Sequence, residues 1–154
     1  MEHFMQQAIN EAKRAETRGE VPVGAVLVDA KGTVLAADGN RVEEKSDPLA
    51  HAEMLVIKAA RQQRGEKYLE DCDLYVTLEP CPLCASAISL ARLRRVYFGA
   101  YDPKSGGTEH GPRIFEHDTC HHKPEAYGGI DESACSALLT DFFSKKRHAT
   151  EKDK

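Results

Sequence analysis

Leu74-Tyr75-Val76-Thr77-Leu78-Glu79-Pro80-Cys81-Pro82-Leu83-Cys84 decides how the chain folds around its chemistry. The first five residues are β-branched, aromatic or aliphatic and read as a buried strand. Two prolines flank Cys81, and the run from Ala85 to Leu93 has helical character, so a strand feeds directly into a helix start. A helix N-terminus offers free N–H groups and the positive end of a dipole, which favour thiolates at Cys81 and Cys84. A strand followed by a helix whose N-terminus carries reactive groups is the arrangement of α/β sites.

Working outward, a second helix start lies upstream. Asp47-Pro48 breaks the chain, and the pattern from Ala50 to Arg64 turns helical, with Met54, Leu55, Lys58, Ala59 and Gln62 at a spacing near 3.6 and the apolar ones able to face a core. His51 and Glu53 sit at its beginning. His51, Cys81 and Cys84 together offer one imidazole and two thiolates, enough to bind Zn²⁺ and leave a fourth position for water. Such a water ionises with a pKa of roughly 7. Glu53 is too close to His51 to serve as an independent fourth ligand. It is placed to take a proton from the water and return it to a leaving group. A non-catalytic zinc module is the competing reading, and it has no use for Glu53.

The remaining pattern supplies the frame. His3 to Arg18 reads as an amphipathic helix with Phe4, Ala8, Ala12 and Ala15 on one stripe, ended by Gly19. Val23 to Val28 and Thr33 to Ala37 form a hairpin about Ala30-Lys31-Gly32. A loop runs from Gly39 to Asp47. Val96 to Gly99 is a further strand, and Glu125 to Tyr127 is expected as a short fifth. Asp131 to about residue 147 is a final helix with Leu138, Leu139, Phe142 and Phe143 as its apolar stripe, followed by an expected flexible tail over 148–154. The order predicts an α/β fold of three layers, α/β/α, in a single domain over 1–154.

Composition narrows the setting. The chain has 154 residues, is 41% hydrophobic and 30% charged, and carries a net charge of −4. That balance fits one core and argues against disorder. There is no apolar run long enough to cross a membrane and no leader-like N-terminus, so a cytoplasmic protein is expected. The five cysteines suit a reducing compartment, with Cys72, Cys120 and Cys135 as free thiols. The acidic total counts mildly against a nucleic-acid partner. Basic residues nonetheless gather at Arg92, Arg94 and Arg95 and at Lys145, Lys146 and Arg147, either as binding faces or as solvated helix ends. His110, His117, Cys120, His121 and His122 crowd one polar loop, without good zinc spacing, that is expected to line a substrate groove.

The His51-Ala52-Glu53 and Pro80-Cys81-Pro82-Leu83-Cys84 pair matches the signature of zinc-dependent nucleobase deaminases. Beyond that pair, Val21 to Val28, Gly39-Asn40-Arg41, Leu74 to Cys81, Phe98 to Gly106 and Phe142 to Arg147 resemble the bacterial tRNA-specific adenosine deaminases in order, from about Phe4 to Arg147. The resemblance implies a cytidine-deaminase-like fold with a five-stranded mixed sheet, a homodimer, and conversion of the wobble adenosine of a tRNA anticodon to inosine. It implies one Zn²⁺ per subunit on His51, Cys81 and Cys84, with Glu53 moving protons. It further implies that Asn40 hydrogen-bonds the flipped base, that Asp102 and Lys104 touch neighbouring nucleotides, and that Lys145, Lys146 and Arg147 grip the anticodon stem-loop. Asn40 also has a plain reading as a turn residue after Gly39. Leu83 stands where the family usually has Met, and Leu49 where it often has a small polar residue. The alternative function is deamination of free bases or nucleosides, of guanine or cytosine type, by the same zinc chemistry.

Overall fold

The computed structural model describes residues 4–152, so the expected helix start at His3 and the last two residues of the chain lie outside the described part. Helix α1 (Phe4–Thr17) leads into the hairpin β1 (Gly24–Val28) and β2 (Val34–Gly39). A one-turn helix α2 (Val42–Lys45) precedes α3 (Ala52–Arg64), β3 (Asp73–Leu78), α4 (Pro82–Leu90) and β4 (Arg95–Ala100). A long loop then leads to β5 (Glu125–Tyr127) and α5 (Glu132–Lys152). The sheet order is β2-β1-β3-β4-β5. β1 runs antiparallel to β2 and β3, while β4 runs parallel to β3 and β5, giving a five-stranded mixed sheet.

Strand alternation sorts the core into two layers. Ala25, Leu27, Leu74, Val76, Val96 and Phe98 pack with Val56, Ile57 and Ile88 of α3 and α4. Val26 and Val28 face the other way, onto Met5, Ala8 and Ile9 of α1 and Cys135 of α5. β1 is therefore buried on both faces, which is why it reads as an unbroken apolar run. Helix α1 lies so close to β1 that a Cβ on Gly24 would sit 2.0 Å from the Ala8 carbonyl oxygen. Gly24→Ala is expected to cost about 2 to 3 kcal/mol of stability, because backbone and not a flexible side chain must move. A urea midpoint equal to that of the wild type would show the helix free to shift.

Three expectations need correction. Helix α3 does not bury Met54 and Leu55, which are half-buried, and Lys58, Ala59 and Gln62 are exposed; its core face is Ala52, Glu53, Val56, Ile57 and Ala60. The loop from Gly39 to Asp47 contains α2, whose first N–H groups at Glu43 and Glu44 are accepted by the buried Glu20 carboxylate at 3.0 and 2.9 Å. The final helix runs to Lys152 instead of giving way to a tail after 147, since no Gly or Pro interrupts His148 to Lys152. Among the described residues no helix is long and apolar enough to cross a membrane.

Candidate metal centre and its cavity

The two helix starts converge. His51 is the N-cap of α3 and Cys81 the N-cap of α4, with Pro82 in the first turn of α4. Backbone geometry thus fixes both residues at the carboxyl ends of strands, β3 directly and β2 through α2. His51 Nδ1 lies 3.6 Å from Cys81 Sγ and 3.4 Å from Cys84 Sγ. A tetrahedral zinc with bonds of about 2.3 Å to sulfur and about 2.0 Å to nitrogen sets that separation at roughly 3.5 Å. The donor set therefore fits one Zn²⁺ in both chemistry and spacing, in keeping with a zinc-binding deaminase domain. The imidazole also bonds the Pro48 carbonyl, the kind of outer contact that orients a ligating ring. Among the described residues, no other group of three or more His, Cys, Asp or Glu side chains comes together in this way.

The electrostatics follow from the crowding. The Cys84 thiol, donating to Cys81, holds Cys81 down at about 4, with His51 acting in the same direction against desolvation. Cys84 is pushed up by that same shared proton and by burial. His51 is raised by its bond to Cys81, against desolvation. Burial pushes the Glu53 carboxyl up to about 7, although its own helix-start N–H and the His51 imidazole pull it down. A bound cation draws such a group back toward its ionised form.

A cavity of about 540 Å³ opens over this cluster, a size suited to a small-molecule or nucleotide ligand. Asn40, His51, Glu53, Cys81, Asp102 and Lys146 all line it, so the structure gathers six of the sequence-predicted residues at one place. Cys84 lies buried beneath. Asn40 Oδ1 accepts from the Ala52 N–H at 2.8 Å, which anchors the start of α3, and the residue also lines the cavity. Lys104 lines an adjoining pocket with Tyr101, Leu139 and Phe143. Lys145 and Arg147 are exposed outside both pockets, Lys145 at 3.8 Å from Glu16.

Other sequence expectations resolve differently. Arg94 is bidentate on Asp73, Arg95 pairs with Glu125, and the Arg92 guanidinium carbon sits over the Tyr68 ring at 3.8 Å from its centroid. That basic run is thus matched by acids and an aromatic, not left as a binding face. The histidine-rich segment after Gly111 does not line the cavity. It packs toward the end of α4, where His122 Nε2 bonds the Leu93 carbonyl at 2.7 Å, and His117 bonds the Pro112 carbonyl.

Two buried carboxylates escaped sequence reasoning. Glu20 caps α2 from the cavity wall. Glu79, whose side chain is fully buried, accepts hydrogen bonds from the N–H groups of Asp102, Thr108, Glu109 and His110 and bonds His110 Nδ1. Burial pushes Glu79 up, but those donors outweigh it and hold it below the ordinary carboxylate range. For Glu79 the local signal was an acidic residue directly after the apolar run Leu74 to Leu78, and Glu20, between Gly19 and Val21, carried none.

Residues 1–100 match the cytidine and deoxycytidylate deaminase zinc-binding region. The chain is 52% identical to a tRNA-specific adenosine deaminase from Agrobacterium fabrum, over 94% of this chain and 95% of that protein. It is 46% identical to a tRNA-specific adenosine deaminase from Aquifex aeolicus, over 96% of each. A solved structure from work on A-to-I editing by tRNA:A34 deaminases at the wobble position superposes with a TM-score of 0.87 at 52% identity, covering 89% of this chain and 99% of that one. With a zinc-shaped donor set at two helix starts and this likeness along nearly its whole length, the chain belongs to the family of the tRNA-specific adenosine deaminases.

Proposed function

We propose that the chain hydrolyses the wobble adenosine of a tRNA anticodon to inosine and ammonia, working as a homodimer with one zinc in each subunit. The observation that carries the substrate is the cavity wall: Phe142 and Lys146 of the basic final helix line the same space as His51, Glu53 and Cys81. A base drawn out of an anticodon loop needs both a closed site for chemistry and a basic aromatic rim for its strand. The activity in the names of the 52% and 46% identical relatives supports the same reading.

The chemistry divides between the ion and the chain. Zinc, when bound, lowers the pKa of a water to roughly 7. Glu53 takes a proton from that water and places it on N1 of the adenine ring. Glu53 then delivers the second proton to the 6-amino group, which departs as ammonia while the water oxygen becomes the inosine carbonyl. The Asn40 side chain orients the base from the cavity wall. Asp102 and Lys104 meet adjacent nucleotides, and Lys145, Lys146 and Arg147 meet the backbone.

The deciding experiment is inosine formation in an adenosine-containing anticodon stem-loop, run beside ammonia release from free adenine, guanine, cytosine and their nucleosides. Inosine at the wobble position with silent small molecules is expected. Ammonia from a free base with the stem-loop untouched would keep the zinc chemistry and replace the substrate. The basic helix carries its own test. Alanine at Lys145, Lys146 and Arg147 is expected to leave the fold intact, weaken stem-loop binding, and flatten the salt dependence of log Kd by about 2, at roughly 0.7 per phosphate contact. An unchanged slope would remove the three residues from the interface. The homodimer is supported by Leu90 of α4, which is 76% exposed, and by Leu83 on the same helix. Light scattering at micromolar concentration should give twice the chain mass; a monomer mass would withdraw the dimer.

A further inference from the structure

The loop after β4 forms the cavity rim through Asp102 and Ser105, yet it belongs to no helix or strand until the single turn at Ile114–Glu116. A segment of this kind pays an ordering cost of about 1 to 2 kcal/mol per residue when it is fixed. Besides the Gly107 N–H bond to the Pro80 carbonyl at 2.8 Å, what holds it to the body of the protein is one carboxylate. Glu79 Oε1 accepts from Asp102 N at 3.0 Å and bonds His110 Nδ1 at 2.8 Å. Glu79 Oε2 accepts from Thr108, Glu109 and His110 N–H groups at 3.2, 3.0 and 3.0 Å. Gly106 passes so close that a Cβ there would sit 2.3 Å from Oε2. The loop is wound around this one anion in the manner of a backbone nest.

Within the nest, His110 is the sole side-chain donor. Its ring stands edge-on to Tyr101 at 6.0 Å, and Tyr101 stands edge-on to Phe98 at 5.2 Å. His110 thus ties the far end of the loop both to the buried carboxylate and to the core, while its own side chain is 35% exposed. On the cavity side, Asp102 is held from behind by its N–H on Glu79, and its carboxylate accepts from Ser105 N at 3.0 Å. Neither Glu79 oxygen is left over for a ligand.

We propose that Glu79 and His110 are a positioning pair, which fixes loop 102–110 so that Asp102 and Ser105 meet the anticodon strand as a preformed rim. This rests on the tRNA reading given above. A preformed rim spares the RNA the cost of ordering the loop on binding, so the pair acts on affinity and leaves the chemical step alone. Glu79 itself is a poor probe: Gln in its place turns an NH₂ group toward backbone donors and threatens the fold. His110 is the better one, because four backbone donors remain when its ring is removed.

The test compares His110→Ala and His110→Asn with the wild type, all zinc-loaded, on an anticodon stem-loop. His110→Ala is expected to raise both Kd and KM about tenfold, the loss of one hydrogen bond to a carboxylate. Its kcat should stay within twofold and its zinc at the wild-type level, with faster amide exchange at Thr108, Glu109 and His110. His110→Asn, which restores a donor near the Nδ1 position, is expected to return Kd and KM to within twofold. Unchanged Kd and KM in the alanine variant would overturn the proposal, as would a loss confined to kcat or zinc content, or a failure of Asn to rescue. A wild-type chain that neither binds nor edits the stem-loop would overturn the tRNA reading itself, and the positioning role with it.

Discussion

Glu53→Ala is expected to keep its zinc and its fold and to lose turnover by a factor of about 10² to 10⁴, the range of positioned proton transfer. Three features lead there. Glu53 sits in the first turn of α3, two residues past His51, so its side chain is carried to the cavity by the same helix start that aims the imidazole. It is not part of the cluster of possible ligands, which comprises His51, Cys81 and Cys84, so its removal leaves the donor set whole. It is also buried, and burial pushes its carboxyl up to about 7. The sign matters. Desolvation favours the protonated form, whereas a nearby cation favours the ionised one. A carboxyl pulled both ways near neutrality can accept a proton and give it back within one turnover. The measurement is zinc per chain together with kcat on the stem-loop. A variant with normal zinc and a rate within threefold of wild type would end the proton-transfer role and return the site to the structural-zinc reading.

How much of this was legible depended on whether the deciding contacts were local. The candidate metal cluster was readable because two of its three residues, His51 and Cys81, occupy N-caps and Cys84 follows in the first turn of α4, and N-caps are written into short stretches: Asp47-Pro48 before His51, and Pro80 and Pro82 around Cys81. The three-residue strand at Glu125–Tyr127 was also readable, since Gly128-Gly129 closes it. The buried face of α3 was misread because Met54-Leu55-Val56-Ile57 is a continuous apolar run, which fixes no phase for a helical period. Only the sheet decides that Val56 and Ile57 point inward. Glu79 was invisible as a structural centre because its donors lie 23 to 31 residues downstream. Arg94 and Arg95 looked like a basic patch for the same reason: their acids, Asp73 and Glu125, are 21 and 30 residues away. Apart from the phase of α3, the missed features are thus polar contacts between distant segments, for which a single sequence carries no periodic trace.

His51→Ala should separate a catalytic from a structural metal more cleanly than any cysteine change. Cys84 is fully buried among core residues, so its truncation mixes cavity cost with lost coordination. His51 is only half-buried, and as N-cap of α3 its side chain makes no capping hydrogen bond. The helix therefore loses little when the ring goes, and neither core cluster runs through it. Zinc loses one of three protein donors. Affinity is expected to fall by more than the 10- to 100-fold that outer contacts cost, and activity to fall below detection. Stability then reports on the metal's role through linkage. Zinc at 1,000 times its Kd stabilises a chain that binds it only when folded by about 4.1 kcal/mol. The wild type should show that gain in its unfolding midpoint on adding zinc, whereas His51→Ala at the same zinc should not. Its far-UV circular dichroism should nonetheless match the wild type without added metal, because the two cores and not the ion hold the sheet and helices together. An unfolded variant would mean that the metal builds the fold, and the open coordination position inferred at His51, Cys81 and Cys84 would lose its catalytic meaning.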